Sequence, residues 1–157
     1  TAVYVIDNNS SDTSVSYIKE SHPSVKLICL EDNFGFAGGY NNGLKQIEAT
    51  YYILLNSDVE TSPNWVPPLI DRMDSDSNIA ASMPKLKAYD NKEMFEYAGA
   101  AGGFIDKYGF PFCQGRLFQE VEKDNGQYNS EKEIMWATGA ALCIRSDIYN
   151  KMGGLDT

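Results

Sequence analysis

Several residue types that commonly carry chemistry are scarce in this sequence. There is a single histidine, His22, which precedes Pro23 in a loop-like stretch and reads as a surface residue. The three cysteines, Cys29, Cys113 and Cys143, are odd in number and form no CxxC pair. That argues against a disulfide framework or a zinc site and points to a reducing compartment. Cys29 and Cys143 lie in apolar strand-like runs and are expected to be small core residues. Basic residues number 13 against 22 acidic ones, a net charge of -9, so the clustered Lys and Arg that nucleic acid requires are missing. No apolar run reaches the roughly 18 residues that would span a bilayer, and no signal peptide is visible. Neither GxGxxG nor a GK[ST] phosphate loop occurs, which disfavours a dinucleotide-binding dehydrogenase and a P-loop protein.

What is present suffices for a folded domain: 157 residues, 43% of them hydrophobic. Residues 2–6 read as a buried strand ending at Asp7, followed by a polar turn and a helix over 13–20. A second strand over 25–30 leads into the glycine-rich stretch 33–39, expected as a loop feeding a helix to about residue 48. The third strand covers 51–55. Ser62-Pro63 predicts a helix start, with Ser as N-cap and Pro at the first helical position, ending near residue 74. A short strand is expected over 79–83. This alternation is the pattern of a parallel sheet with crossover helices. Residues 85–131 mix aromatics, glycines and charges without period and read as long loops and short hairpins. Strand-like character returns over 134–144, and a short helix over 145–152 closes at Gly153. The first strand begins at the second residue with no initiator Met, and the chain stops just after a helix-ending signal. Both ends read as cuts in a longer chain.

Four segments carry the functional signal. The most informative is YYILLNSDVE, residues 51–60, an apolar strand that ends in Asn56, Ser57 and Asp58. Open α/β sheets present ligands at the carboxyl ends of strands. A carboxylate there can hold a hard cation whose other oxygens come from a diphosphate and water. The same spacing also fits a turn or helix-capping Asp. Asp7-Asn8-Asn9-Ser10-Ser11-Asp12 is a second strand tip. It fits either a base- or ribose-contacting carboxylate or an Asx-rich turn. NFGFAGGYNNG, residues 33–43, lets backbone approach a ligand near a helix N-terminus, or else marks close helix packing. Trp136-Ala137-Thr138-Gly139-Ala140-Ala141 sets a sugar-stacking aromatic beside small residues, or is a core Trp against a close-packed strand. Three polar or glycine-rich strand tips on one edge of a parallel sheet weigh more together than singly.

VYVIDNNSSDTS, NFGFAGGYNNGL, YYILLNSDVE and WATGAALCIRSDIYNKMGGLD, in that order, resemble the family 2 glycosyltransferases of the GT-A fold. The likeness covers nearly the whole chain and is nearest to bacterial rhamnosyl- and galactosyl-type transferases of polysaccharide synthesis. It implies an α/β, Rossmann-like, mostly parallel sheet flanked by helices and truncated at both ends. A single partial domain is implied over 1–157, with a nucleotide-binding part over 1–84 and a donor-sugar and acceptor part over 85–157. By this resemblance Asp7 contacts the base or ribose, with Asn8 and Asn9 close by. Asn33, Phe36, Ala37, Gly39 and Asn42 line the nucleotide pocket. Asn56, Ser57 and Asp58 match a DxD-type position whose first acid is Asn here, so that Asp58 would bind Mg²⁺ or Mn²⁺. Trp136, Thr138, Gly139 and Ala140 lie where donor sugar and acceptor meet. The family's first strand is absent, which would leave sheet edges open to self-association. The acidic motif that supplies the family's general base is expected beyond Thr157; Asp156 is the acid preceding it and is not assigned that role. Little transfer is therefore expected from residues 1–157 alone.

The implied activity is inverting hexosyl transfer from a UDP- or dTDP-linked sugar to a saccharide or lipid-linked saccharide acceptor, in surface polysaccharide synthesis at the cell envelope. A cytoplasmic location at the membrane face follows from the same resemblance. Two alternatives stay open on the residues: a nucleotide-sugar-binding module without turnover, and a nucleotidyltransferase. The latter would ordinarily bring a basic glycine-rich loop near its start.

Overall fold

The computed structural model describes all 157 residues. In chain order the elements are β1 (Tyr4–Asp7), α1 (Ser14–Ser21), β2 (Lys26–Cys29), α2 (Gly35–Leu44), β3 (Tyr51–Leu55) and α3 (Val66–Ser75). They continue with β4 (Ala81–Ser82), β5 (Gly103–Ile105), β6 (Pro111–Cys113), β7 (Arg116–Leu117), β8 (Glu120–Val121), β9 (Ala141–Arg145) and α4 (Ser146–Met152). The chain is α/β, and it divides into two compact units. One comprises Thr1–Thr50 with Ser146–Thr157, the other Tyr51–Arg145.

In the first unit β1 and β2 pair in parallel, Tyr4 opposite Lys26 and Asp7 opposite Cys29. The connection between them is α1, as a parallel pair requires. β1 was expected to be buried, yet Val5 and Ile6 are half-exposed and only Asp7 is buried. A sheet of two strands covers little of its own surface, which explains the difference. Cys29 is likewise exposed rather than a core residue. The glycine-rich stretch is helix, not loop: α2 begins at Gly35, the one glycine of that stretch with a left-handed backbone, φ +68°. The reason is packing. A Cβ at Gly43 would fall 2.4 Å from the Ile6 side chain, so the glycine lets α2 lie against β1.

The second unit holds an antiparallel sheet in the order β3-β9-β4. Tyr51 lies opposite Arg145 and Leu55 opposite Ala141. The parallel character expected throughout is thus confined to β1 and β2, because β3 takes its neighbour from far along the chain. Leu54, Met73, Ala141 and Cys143 are essentially inaccessible and form the centre of this unit. α3 starts at Val66 rather than Ser62, with Pro67 and Pro68 in its first turn and Asn64 in a left-handed conformation before it. Its amphipathic face buries Met73. Of residues 79–83 only Ala81 and Ser82 pair as strand, and residues 134–140 contribute one bridge, Gly103 to Trp136, before β9 begins. Residues 85–131 form hairpins, as expected: β5 with β6 and β7 with β8. A second core of Phe95, Ala100 and Cys113, with Trp136 and Tyr128 packed on it, supports them.

Candidate functional site

In the first unit the tip of β1 is tied to the turn before α2 by one side chain. The Asn8 amide nitrogen donates to Asn33 Oδ1 and to the Gly35 carbonyl, both at 3.0 Å, and its oxygen accepts the Phe34 N–H at 3.0 Å. Asn33 Oδ1 also accepts the Gly35 N–H. Gly39 lies close under the Asn8 side chain: a Cβ there would come 3.1 Å from its amide, a tight contact. Asp7 is buried, 8% exposed, and its carboxylate accepts the Ser10 N–H at 3.2 Å. Asn9 stands beside it, exposed, at φ +62°. Phe36 is exposed and meets the Tyr40 ring edge-on at 5.1 Å, while Ala37 is half-buried. Asn42 accepts from Lys45 at 3.2 Å. Asp7, Asn8, Asn33 and Gly39 are thereby gathered at one place. Asn42 lies further along α2.

Asn41 is the residue that sequence reasoning passed over. Its amide donates to the Leu155 carbonyl at 2.8 Å and accepts the Leu155 N–H at 2.9 Å and the Tyr149 hydroxyl at 2.5 Å. It pins α2 to α4 and the strand of chain beyond it. Gly153 and Gly154, at φ +87° and +92°, turn the chain so that it can reach Asn41. Asn41, Tyr149 and Gly154, with Phe34, Asn42 and Lys45, line a cavity of about 520 Å³. The signal was available: Asn is disfavoured inside a helix unless its side chain has a partner, and Asn41 stands mid-helix.

In the second unit β3 ends where Asn56 donates its N–H to the Ala140 carbonyl at 3.0 Å, and the Val59 N–H returns to the Asn56 carbonyl. Ser57 and Asp58 fall in the resulting turn, both exposed. Thr138 Oγ1 accepts the Ala140 N–H, so Asn56 and the segment around Ala140 are neighbours. Gly139 is half-buried in the turn just before β9. Trp136 packs over Gly103, where a Cβ would overlap the indole, and donates to the Phe104 carbonyl at 3.3 Å. The indole therefore serves the hairpin core.

The sequence profile described as "Glycosyl transferase family 2" matches residues 1–135, most of the chain. The chain belongs to glycosyl transferase family 2. It is similar to N-acetylglucosaminyl-diphospho-decaprenol L-rhamnosyltransferase of Mycobacterium tuberculosis, found alike in strains CDC 1551 / Oshkosh and ATCC 25618 / H37Rv. The identity is 22% over 173 residues, covering 99% of this chain and 55% of that protein. It is also similar to N-acetylgalactosaminyltransferase 6 of Drosophila melanogaster, 26% identical over 141 residues, which cover 90% of this chain and 21% of that protein. The family 2 chain thus spans about half, or less, of the curated relatives it matches.

Membership bears on what the strand tips can hold. No group of three or more His, Cys, Asp or Glu side chains is disposed as a metal cage. The Asp58 turn supplies one exposed carboxylate, so a hard cation held there would take its remaining oxygens from phosphate and water. Further along the same unit, Asp124 accepts from Lys85 and Lys87, each at 2.8 Å, and its side chain is only 4% exposed. Those two ammonium groups hold its carboxyl well below the usual carboxylate range. Lys85 also donates to Asn129 at 2.6 Å. No helix of the family 2 chain is long and apolar enough to cross a membrane.

Proposed function

We propose that the protein is a GT-A glycosyltransferase that moves a hexose from a UDP- or dTDP-linked donor to a saccharide acceptor with inversion. The observation that carries this reading is the family 2 match over residues 1–135; the first unit then supplies Asp7, buried and locally anchored at the end of β1, and the second supplies Asp58, exposed in the turn after β3. Asp7 reads the base or ribose, with Asn9 beside it. Asn8 and Asn33 hold the backbone of that tip in shape, and Phe36, Ala37, Gly39 and Asn42 line the nucleotide side. Asn56 and Ser57 present Asp58. Thr138, Gly139 and Ala140 border the donor sugar and acceptor, with Trp136 buttressing them.

The chemistry is a single displacement. The acceptor hydroxyl loses its proton to a carboxylate and forms a bond to the anomeric carbon, while the carbon–oxygen bond to the diphosphate breaks on the opposite face. A divalent cation held by Asp58 would supply Lewis-acid neutralisation of the departing diphosphate. Such help matters in a chain of net charge -9, which would otherwise repel a diphosphate. We assign nucleotide recognition to residues 1–84 and sugar and acceptor handling to 85–157. The mycobacterial relatives, by name, act on a diphospho-decaprenol saccharide, which favours a lipid-linked acceptor here. Surface polysaccharide synthesis at the cytoplasmic face of the envelope is the corresponding setting.

Calorimetric titration of UDP and dTDP, with and without Mn²⁺, tests the reading on wild type and Asp58→Ala. Binding that needs the cation and weakens on the order of tenfold or more in the variant is expected, since a carboxylate–cation contact is lost. Metal-independent binding of equal strength in both proteins would sink the assignment of Asp58.

A further inference from the structure

A second, smaller cavity lies wholly within the unit of Tyr51–Arg145, at the Asp58 turn. Val59, Trp65, Pro84, Leu86 and Ala141 supply its apolar lining. Val59 directly follows Asp58. Ala141 directly follows Ala140, whose carbonyl takes the Asn56 N–H. The cavity therefore adjoins both segments that the donor reading uses, the turn assigned to the cation and the segment assigned to the sugar. Its volume is about 90 Å³. Whole small molecules occupy pockets of roughly 300 Å³ or more, so this one takes a single group and not a sugar ring.

The charged side chains that line it are already engaged. Both Glu60 oxygens accept from Lys92 at 2.8 Å. Lys85 donates to Asp124 at 2.8 Å and to Asn129 at 2.6 Å. Thr61 and Ser62 are exposed, whereas Ala141 is only 1% exposed, so the hydroxyls stand at the mouth and the deep end is apolar. Backbone bonds hold the walls. The Val59 N–H donates to the Asn56 carbonyl, the Leu86 N–H donates to the Ala100 carbonyl at 2.8 Å, and the Leu86 carbonyl accepts the Glu96 N–H at 3.1 Å. A hydroxyl seated at the deep end would give up its water for apolar neighbours, which is costly. A methyl group placed there leaves water with a gain.

We propose that this cavity seats a methyl-bearing substituent of the donor sugar, the C6 methyl of a 6-deoxyhexose or the acetamido methyl of a 2-acetamido sugar. Val59, Trp65 and Leu86 then set the preference for that class of sugar. This assignment rests on the donor-site reading above and adds the class of hexose to it.

The test is calorimetric titration of the full chain, with Mn²⁺ present, using free UDP and dTDP and two pairs of donors. UDP-N-acetylglucosamine is compared with UDP-glucose, and dTDP-L-rhamnose with dTDP-glucose. In at least one pair the methyl-bearing donor should bind roughly tenfold more tightly, the discrimination that an apolar pocket gives for one small group. The pair that shows it distinguishes the acetamido from the 6-deoxy substituent. Val59→Phe, which fills the space, should bring that ratio to about one. Leu86→Ala, which widens the space, should lower the same ratio and serves where Val59→Phe does not fold, as judged by circular dichroism. Tryptophan emission should change with the methyl-bearing donor beyond any change with free nucleotide, and Trp65→Phe should abolish that difference. If free nucleotide binds and neither methyl-bearing donor exceeds its glucose counterpart, the pocket assignment is overturned while the donor site stands. A ratio that survives in the folded variants overturns it equally. If no nucleotide binds at all, the donor-site reading falls and this assignment falls with it.

Discussion

At the scale of single residues, environment separates side chains that composition treats alike. Three cysteines stand in the sequence without partners, and the fold gives them different chemistry. Cys113 and Cys143 are buried, and burial pushes the Cys143 thiol up, away from the reactive thiolate. Cys29, at the end of β2, is exposed. Iodoacetamide should therefore label one cysteine in the native chain, identified by peptide mass as Cys29, and all three only in denaturant. Fast native labelling of Cys143 would contradict the packing of β9. The asparagines divide in the same way. Asn8 spends its amide on three backbone and side-chain partners, and Asn41 spends its own on Leu155 and Tyr149. Neighbouring Asn9 and Asn42 differ from them only in where the backbone points. The identity of these residues was plain in the sequence, whereas which asparagine holds the structure together was not.

Among the elements, Arg145 shows how a strand end can organise a helix end. Its guanidinium donates to the carbonyls of Ile79 at 2.8 Å, Met73 at 2.5 Å and Asp76 at 3.3 Å, and to the Tyr51 hydroxyl at 3.1 Å. Met73 and Asp76 belong to the C-terminal end of α3, where carbonyls lack helical partners and a cation is favoured. Tyr51 in turn donates to the Asp74 carboxylate, and that bond raises the phenol above its usual range. One side chain thereby joins β9, β3 and the end of α3. Arg145→Met should cost about 2–4 kcal/mol in urea unfolding, since several bonds to a charged donor are removed together. A loss below about 1 kcal/mol would mean that water replaces the guanidinium without penalty. The helices and the strands β1, β2 and β3 were legible from their patterns. The start of α3 was misplaced because Ser62-Pro63 resembles a start signal, while Asn64 turns left-handed and the Pro67-Pro68 pair begins the helix. The start of α2 was placed too late because glycine disfavours helix locally, whereas the helix begins at Gly35 and contact of Gly43 with Ile6 outweighs that preference.

For the molecule as a whole, charge sets the response to acid. The sequence isoelectric point is about 4.5, so repulsion among the surplus carboxylates fades as the pH falls toward that value. Below it a different effect takes over. The Asp124 carboxyl is held down by Lys85 and Lys87, so it binds its proton more weakly when folded than when unfolded. Its contribution to stability is fully present above the ordinary carboxylate value of 3.8 and is lost progressively as the pH falls below it. The melting temperature should drop steeply over that interval, and Asp124→Asn should be less stable at neutral pH yet show a shallower acid slope. Identical slopes in the two proteins would remove Asp124 from the account.

The sequence by itself determined the α/β class, the parallel β1–β2 unit, the hairpins of 85–131 and the family, because these rest on local periodicity, turn chemistry and ordered motifs. Only the tertiary structure decided that β3 pairs antiparallel with β9, that Trp136 packs on Gly103, that Lys85 and Lys87 share Asp124, and that the rings of the β5–β6 turn stay in solvent. Those outcomes join residues dozens of positions apart. They are settled by which apolar faces and charges find each other when the chain closes, a competition that no local pattern encodes.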